Sequence, residues 1–295
     1  SFSGSDLDDF IVKKQDGNPT FMFANAIDDA LMGVNVVLRG DDHLSNTPRQ
    51  IALLKALDLS IPEFIHVALF TGDDGSPLSK RNGSLSVQEL REAGYFPKAI
   101  ANYLSRVGHT IGDNELRSLE ELAAVFKIDN ISNSPSRFDL DQLGFWQKKV
   151  IESESTESLL TWLRKDLSEI LPAEIDQNGF VELIRENIVF PKDAADYAKN
   201  LFVHSLNSDK EVSTIIKKTG PKFFNIAREC VQEHWGDWSK IMKDIGEKSG
   251  NKGKELFMPI RAAITCQLSG PELDQVTKLL DIDRVVRRLE EASQL

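Results

Sequence analysis

Lys80 and Arg81 stand side by side in the run Pro77-Leu78-Ser79-Lys80-Arg81, between Gly72-Asp73-Asp74-Gly75-Ser76 and Asn82-Gly83. An ammonium on a flexible stem beside a planar guanidinium fork suits a polyphosphate. Carried on a loop, such a pair stabilises charge that develops on a departing pyrophosphate. The plain alternative is a basic turn in water, the usual state of a loop lysine. A further cation, Arg39, precedes Gly40-Asp41-Asp42. Arg39 and Lys80 each come after an apolar run, and ligands of open parallel sheets bind beyond the carboxyl ends of the strands.

The elements that would position these groups read as helix, strand, helix, strand and loop. Phe23, Ala26, Ile27, Ala30 and Leu31 have helical spacing over Phe21 to Met32, with Gly33 as the stop. Val34 to Leu38 is a short β-branched run, and Arg39 to Asp42 a loop after it. Thr47 reads as the cap and Pro48 as the first position of a helix bearing Ile51, Leu53, Leu54 and Leu57. Phe64 to Phe70 is the next strand. This order is the grammar of a parallel α/β sheet. From Ser86 the signals turn helical: Ser86 to Ala93, Pro97 to Arg106, Ser118 to Phe126 and Phe138 to Ile151. Beyond about residue 155 only amphipathic helices follow, with breaks near Pro172, Asn178-Gly179, Pro191, Gly220-Pro221, Gly250-Asn251 and Gly270-Pro271. The fold class is therefore α/β and then all-α.

A chain of 295 residues suits about two domains, each with its own core. Its 41% hydrophobic and 27% charged residues are ordinary for a globular protein. No apolar run reaches the length of a membrane helix. The N-terminus has no signal-peptide pattern and no initiator methionine, which suggests a piece of something longer. Cys230 and Cys266 form no metal-type cluster and fit buried thiols in a cytoplasmic protein. A net charge of −11 argues against broad, nonspecific binding of nucleic acid. Yet Asp209 to Arg261 holds eleven Lys and Arg against eight Asp and Glu, or +3, leaving −14 elsewhere. Such segregation permits a local RNA-binding face, and chance in a polar helical region explains it equally well.

Several motifs resemble the bacterial glutamyl-tRNA synthetase family, in the family's order. They are Asp16-Gly17-Asn18-Pro19-Thr20, Asp28-Asp29-Ala30-Leu31-Met32-Gly33, and the stretch from Arg39 through His43 to Gln50. Pro77 to Arg81 follows at its expected distance, then Gly94-Tyr95-Phe96-Pro97 with Asn102-Tyr103-Leu104. Gly253 to Ala263 and Gly270-Pro271-Glu272-Leu273 complete the set, so the resemblance covers about residues 7 to 290. It implies a class I synthetase that joins glutamate to ATP as glutamyl-adenylate and passes the acyl group to tRNA. Residues 1–75 would be the second half of the Rossmann-like catalytic domain, 76–152 the signature loop and stem-contact region, and 153–295 the helical anticodon-binding region. Lys80 and Arg81 would be catalytic, and Asp42 with Pro77, Leu78, Ser79, Lys80 and Arg81 would bind ATP. Arg39 would hold the glutamate side chain, beside Phe21 and Asn25. Mg2+ would accompany ATP, with no metal site in this chain. His43 has no partner spacing for a metal or triad and reads as structural or pocket-lining.

The family's first, histidine-bearing signature is missing: His43, His66, His109, His204 and His234 form no His-x-x-His pair. The resemblance thus implies a C-terminal portion, monomeric and inactive alone. Pro77 stands where the family has lysine, Phe21 where tyrosine is common, Asn82 for histidine and Cys266 for glycine. These departures admit a second-copy or nondiscriminating form that charges glutamine tRNA as well as glutamate tRNA. A noncatalytic tRNA-binding derivative is the alternative in a different class, and a charged catalytic loop argues against it. The truncated relative that glutamylates a modified tRNA nucleoside lacks the helical body that this chain keeps. In that body Lys148, Lys149, Lys217, Lys218, Lys222, Lys252, Lys254 and Arg261 are candidate phosphate contacts. Phe223, Phe224, Trp235 and Trp238 are candidates for stacking on unpaired bases, with core packing as the alternative.

Overall fold

A computed structural model of the protein describes residues 7–72, 75–76, 78, 86–132 and 134–295. The chain forms two compact units, Ser1–Gln88 with Ile100–Leu143, and Glu89–Ala99 with Gly144–Leu295.

In the first unit α1 (Phe21–Leu31) starts where expected and ends one residue earlier, with Met32 as its cap. Gly33, at φ 73°, closes it. The Gly33 N–H bonds Ala30 O at 3.2 Å and the Val34 N–H bonds Asp29 O at 2.9 Å, a Schellman-type ending. Val34 is taken up by that ending, so the strand expected from Val34 starts later, as β1 (Val36–Gly40). A 3-10 turn, Asp41–Asn46, leads into α2 (Thr47–Ala56). β2 (Glu63–Val67) then returns parallel to β1, with Val36 opposite Glu63 and Arg39 opposite His66. The cap of α2 is Asn46, not Thr47 as expected; the Thr47 hydroxyl is engaged elsewhere.

The single strand expected over Phe64 to Phe70 is divided. β1 ends at Gly40 opposite Val67, so no ladder partner remains beyond Val67. Leu69 instead covers Gly40, where an added Cβ would meet Leu69 Cδ2 at 2.9 Å. The chain resumes as β3 (Phe70–Thr71), parallel to the short β4 (Ser136–Arg137). Leu78 is tied back here, its N–H on Phe70 O at 2.9 Å. Pro77, Ser79, Lys80, Arg81 and Asn82 lie outside the described residues. Next in the chain come α3 (Val87–Ala93) and α4 (Pro97–Leu104), of which residues 89–99 fall in the second unit, and α5 (Leu119–Val125) of the first unit opens with a reciprocal Ser118–Glu121 capping box. A parallel pair is ordinarily covered on both faces, yet Val36 and Leu38 of β1 are exposed.

The second unit is helical, from α6 (Leu140–Ser153) through α7 (Thr156–Leu167), α8 (Gln177–Ile184), α9 (Pro191–Phe202), α10 (Lys210–Thr219), α11 (Pro221–His234), α12 (Trp238–Ser249), α13 (Lys254–Thr265) and α14 (Leu273–Leu279) to α15 (Ile282–Ser293). One apolar core runs through it, with Phe180, Ile216, Phe224, Ile245, Val285 and Leu289 fully buried. Pro191 opens α9, and Gly250, left-handed at φ 78°, closes α12, as their residue types suggest. Asn178-Gly179, expected as a break, lies inside the first turn of α8 because Asp176 caps that helix. Cys266 closes α13 in the left-handed region, at φ 51°, which gives a backbone reason for glycine there. Residues 89–99 belong to this unit. The Gly94 carbonyl accepts from Gln147 Nε2 (3.1 Å) and Trp162 Nε1 (3.0 Å). The Phe96 N–H donates to Gln147 Oε1 at 2.9 Å, and Tyr95 meets Phe190 edge to face at 4.9 Å. Among the described residues no helix is long and apolar enough to cross a membrane.

Candidate functional site

The carboxyl end of β1 and the turn after it lie beside the first turn of α1. Phe21, Asn25, Asp29, Val37, Arg39 and His43 line an open depression there of about 360 Å³. Phe21 and Asn25 share one face of α1. The Phe21 ring, 62% exposed, lies 5.9 Å from the His43 ring, tilted against it. The structure thus gathers three predicted glutamate contacts, Phe21, Asn25 and Arg39, and adds His43.

Arg39 is held from several sides. Its Nη2 donates to Thr47 Oγ1 at 2.7 Å and approaches the His43 carbonyl at 3.5 Å. Its Nε lies 3.4 Å from His66 Nε2, and its guanidinium 5.0 Å from the Phe64 ring centroid. Asp29 and Asp42 supply counter-charge against the burial of this cation. Thr47 Oγ1 also lies 2.9 Å from His66 Nε2. Burial and then the Arg39 charge push His66 below its ordinary pKa of 6.5, against the pull of Asp41. His66 is therefore a neutral acceptor at pH 7.

Asp42 is exposed, with Oδ2 3.7 Å from His43 Nε2. It folds over Gly40 so closely that any Cβ there would collide with Asp42 Oδ1. Glycine thus lets the carboxylate lie against the strand end. Asn46 Nδ2 holds His43 Nδ1 at 3.1 Å. Of the predicted ATP contacts, Leu78 donates its N–H to Phe70 O, while Pro77, Ser79, Lys80 and Arg81 fall outside the described residues. No three His, Cys, Asp or Glu side chains among the described residues converge as a metal-ligating set.

Sequence reasoning passed over Thr47, Gln50 and His66 as site residues. A signal was there. Thr47, Gln50 and Leu54 lie on one face of α2, and all three are buried. Two polar residues on an apolar stripe ask for partners.

In the helical unit Trp238, Met242, Lys243, Phe257, Arg261 and Lys278 line an open depression of about 910 Å³. Trp235 lines a smaller one together with Trp238. Arg261 donates from Nη1 to Pro271 O at 2.9 Å, and burial lowers its pKa against the nearby Glu272. Lys148, Lys149, Lys217, Lys218, Lys222, Lys252 and Lys254 are not among the lining residues of these depressions. Phe223 and Phe224, 4% and 0% exposed, are core residues rather than stacking platforms.

Residues 1–145 match the family profile described as tRNA synthetases class I (E and Q), catalytic domain, and residues 154–293 match an anticodon binding domain. Glutamate–tRNA ligase 1 of Methylococcus capsulatus is 44% identical over 290 residues, 98% of this chain and 62% of that protein. Glutamate–tRNA ligase 2 of Nitrosococcus oceani is 45% identical over 98% of this chain and 61% of its own length. The chain therefore spans about 62% of the length of the relatives it matches. In fold it is similar to the crystal structure of a glutamate tRNA ligase from Elizabethkingia meningosepticum, with a TM-score of 0.85 at 24% identity over 98% of this chain and 63% of that one. Catalytic-domain sequence followed by anticodon-domain sequence, each in its family's place, makes this chain a member of the class I tRNA synthetases of the glutamate and glutamine group.

Proposed function

We propose that this chain serves the ATP-dependent attachment of glutamate to tRNA through glutamyl-adenylate. The observation that carries the proposal is the depression at the end of β1, where Arg39 and Asn25 stand together beside Phe21. A guanidinium already held by Thr47 and the neutral His66 is preorganised for a carboxylate. Asp42 and the run Pro77, Leu78, Ser79, Lys80 and Arg81 serve ATP, and Mg2+ arrives on its phosphates. In this role Lys80 meets the charge that grows on the leaving pyrophosphate. The helical unit holds the tRNA, with Trp238, Phe257 and Arg261 at the edge of a depression wide enough for a splayed base.

The test uses the complete gene product, with tRNA(Glu) and tRNA(Gln) charged in parallel. Lys80→Ala lowers adenylate formation by about a hundredfold, the scale of a lost preorganised charge contact. Arg39→Ala raises the KM for glutamate by a similar factor and spares the KM for ATP. A complete product that charges neither tRNA refutes the proposal. So does a Lys80→Ala variant with near-normal adenylate formation.

A further inference from the structure

Behind the depression, one buried face of α2 carries two polar side chains, Thr47 and Gln50, at 9% and 1% exposure. Each reaches one pocket residue. Thr47 Oγ1 accepts from Arg39 Nη2 at 2.7 Å and turns its own proton to His66 Nε2 at 2.9 Å. Gln50 Nε2 donates to Asn25 Oδ1 at 3.0 Å and lies 3.4 Å from Met22 O. A main-chain carbonyl only accepts, so the Gln50 atom facing it is the NH2 group. Asn25 must then turn its oxygen toward Gln50. The end left over, on a residue that lines the depression, is the Asn25 NH2.

We propose that Thr47 and Gln50 are positioning residues that make the depression select a carboxylate over a carboxamide, by fixing Arg39 and Asn25 as donors. The proposal rests on the glutamate-site reading above. Rotation of the Asn25 amide would offer an oxygen to a carboxamide NH2, but it would also set two NH2 groups face to face at Gln50. Rotation of Gln50 in turn would set its oxygen against Met22 O. The lock is therefore one-way. Gln50 Oε1 is buried without a hydrogen-bond partner. A stable fold rarely keeps an amide in such a place without a use for its orientation. Rejection of the wrong partner is largest where a site's buried polar groups cannot adapt to it.

The experiment is tRNA charging by the complete gene product, with glutamine as competitor. Thr47→Val, which keeps shape and loses the hydroxyl, raises the KM for glutamate by about tenfold, the scale of one charge-assisted hydrogen bond. Its KM for ATP stays within about twofold, and Thr47→Ser restores the glutamate KM. Gln50→Met frees the Asn25 amide and lowers the ratio of the glutamine inhibition constant to the glutamate KM by about tenfold. If Gln50→Met does not fold, Gln50→Asn, too short to reach Asn25, reads the same ratio. Equal loss toward glutamate and glutamine in the Gln50 variant overturns the inference, as does a Thr47→Ser variant as poor as Thr47→Val. Arg39→Ala separates the two levels. If that variant keeps its glutamate KM, the site itself is misassigned. If it loses affinity while Thr47→Val does not, only the positioning role falls.

Discussion

Arg288 on α15 is a buried guanidinium that donates to carbonyls at and just beyond the end of another helix. It reaches His204 O at 2.7 Å, Asn200 O at 3.1 Å and Leu201 O at 3.4 Å. Asn200 and Leu201 lie in the last turn of α9, where carbonyls have no partner within the helix. Arg288→Met keeps the apolar stem and deletes these bonds. Two effects oppose each other. Removing a buried ion recovers its desolvation cost, which in some proteins makes the swap neutral or stabilising. Against that, the His204 and Asn200 carbonyls are orphaned at about 1–3 kcal/mol each, while Leu201 O keeps Arg284 Nη1 at 3.5 Å, and the helix end loses favourable charge. Cys266 Sγ, 3.8 Å from His204 O, is too weak a donor to replace the guanidinium. Glu291, 3.7 Å away, is half exposed and helps hold the cation without burial of its own. The carbonyl losses should therefore win, by about 3 kcal/mol.

Trp146, Trp162, Trp235 and Trp238 all lie in the helical unit, so tryptophan emission follows that unit alone. With a urea slope of about 2.5 kcal/mol per molar, the midpoint should fall by about 1.2 M. Arg288→Lys, a point charge able to reach one carbonyl, should lose about half as much. A midpoint that is unchanged or higher in Arg288→Met would mean that the buried charge is a net burden and that desolvation outweighs the orphaned carbonyls.

Three other outcomes are expected. Asp58 sits left-handed at φ 54° in the Schellman-type ending of α2, with Leu59 N–H on Leu54 O at 2.9 Å; Asp58→Gly should stabilise by about 0.5–1 kcal/mol, and a circular-dichroism melt that does not rise refutes this. His66, pushed below its ordinary 6.5 by burial and Arg39, takes up its proton more readily when unfolded, so the first unit should lose stability as pH falls below about 6.5 and none as it rises above. An NMR titration of the His66 ring with its midpoint at or above 6.5 would contradict that, and Arg39→Ala should move the midpoint upward. Binding of tRNA should weaken steeply with salt, because a +3 segment works within a −11 chain; equal affinity at low and high salt would remove the electrostatic argument.

Local signals located the elements well and their partners poorly. The spacing of Phe23, Ala26, Ile27, Ala30 and Leu31 suffices for α1, and Gly33 for its end, since both depend on neighbours in sequence. Arg39 could be placed at a strand end for the same reason. That it is held by Thr47 and His66 could not be read, because those partners lie 8 and 27 residues away. Thr47 looks like a cap in any local view, and only the arrival of Arg39 diverts its hydroxyl. Phe64 to Phe70 reads as one apolar strand, yet the length of its partner β1 decides where pairing stops. Phe223 and Phe224 satisfy the residue preferences of a base-stacking platform and of a core equally, and the packing of α11 against α15 decides for the core.

The tether through Gly94 bears on how this protein can be taken apart. Helical residues 144–295 read as a separable body, but a piece cut at Gly144 leaves behind Glu89–Ala99. Gln147, fully buried, would then lose its bonds to Gly94 and Phe96, and Trp162 its acceptor. Such a piece should expose the slot vacated by Tyr95 and Phe96 and self-associate through it. Excising Ile100–Leu143 instead, and joining Ala99 to Gly144 with a short flexible bridge, keeps the plug in its socket and is the sounder route to the helical unit on its own.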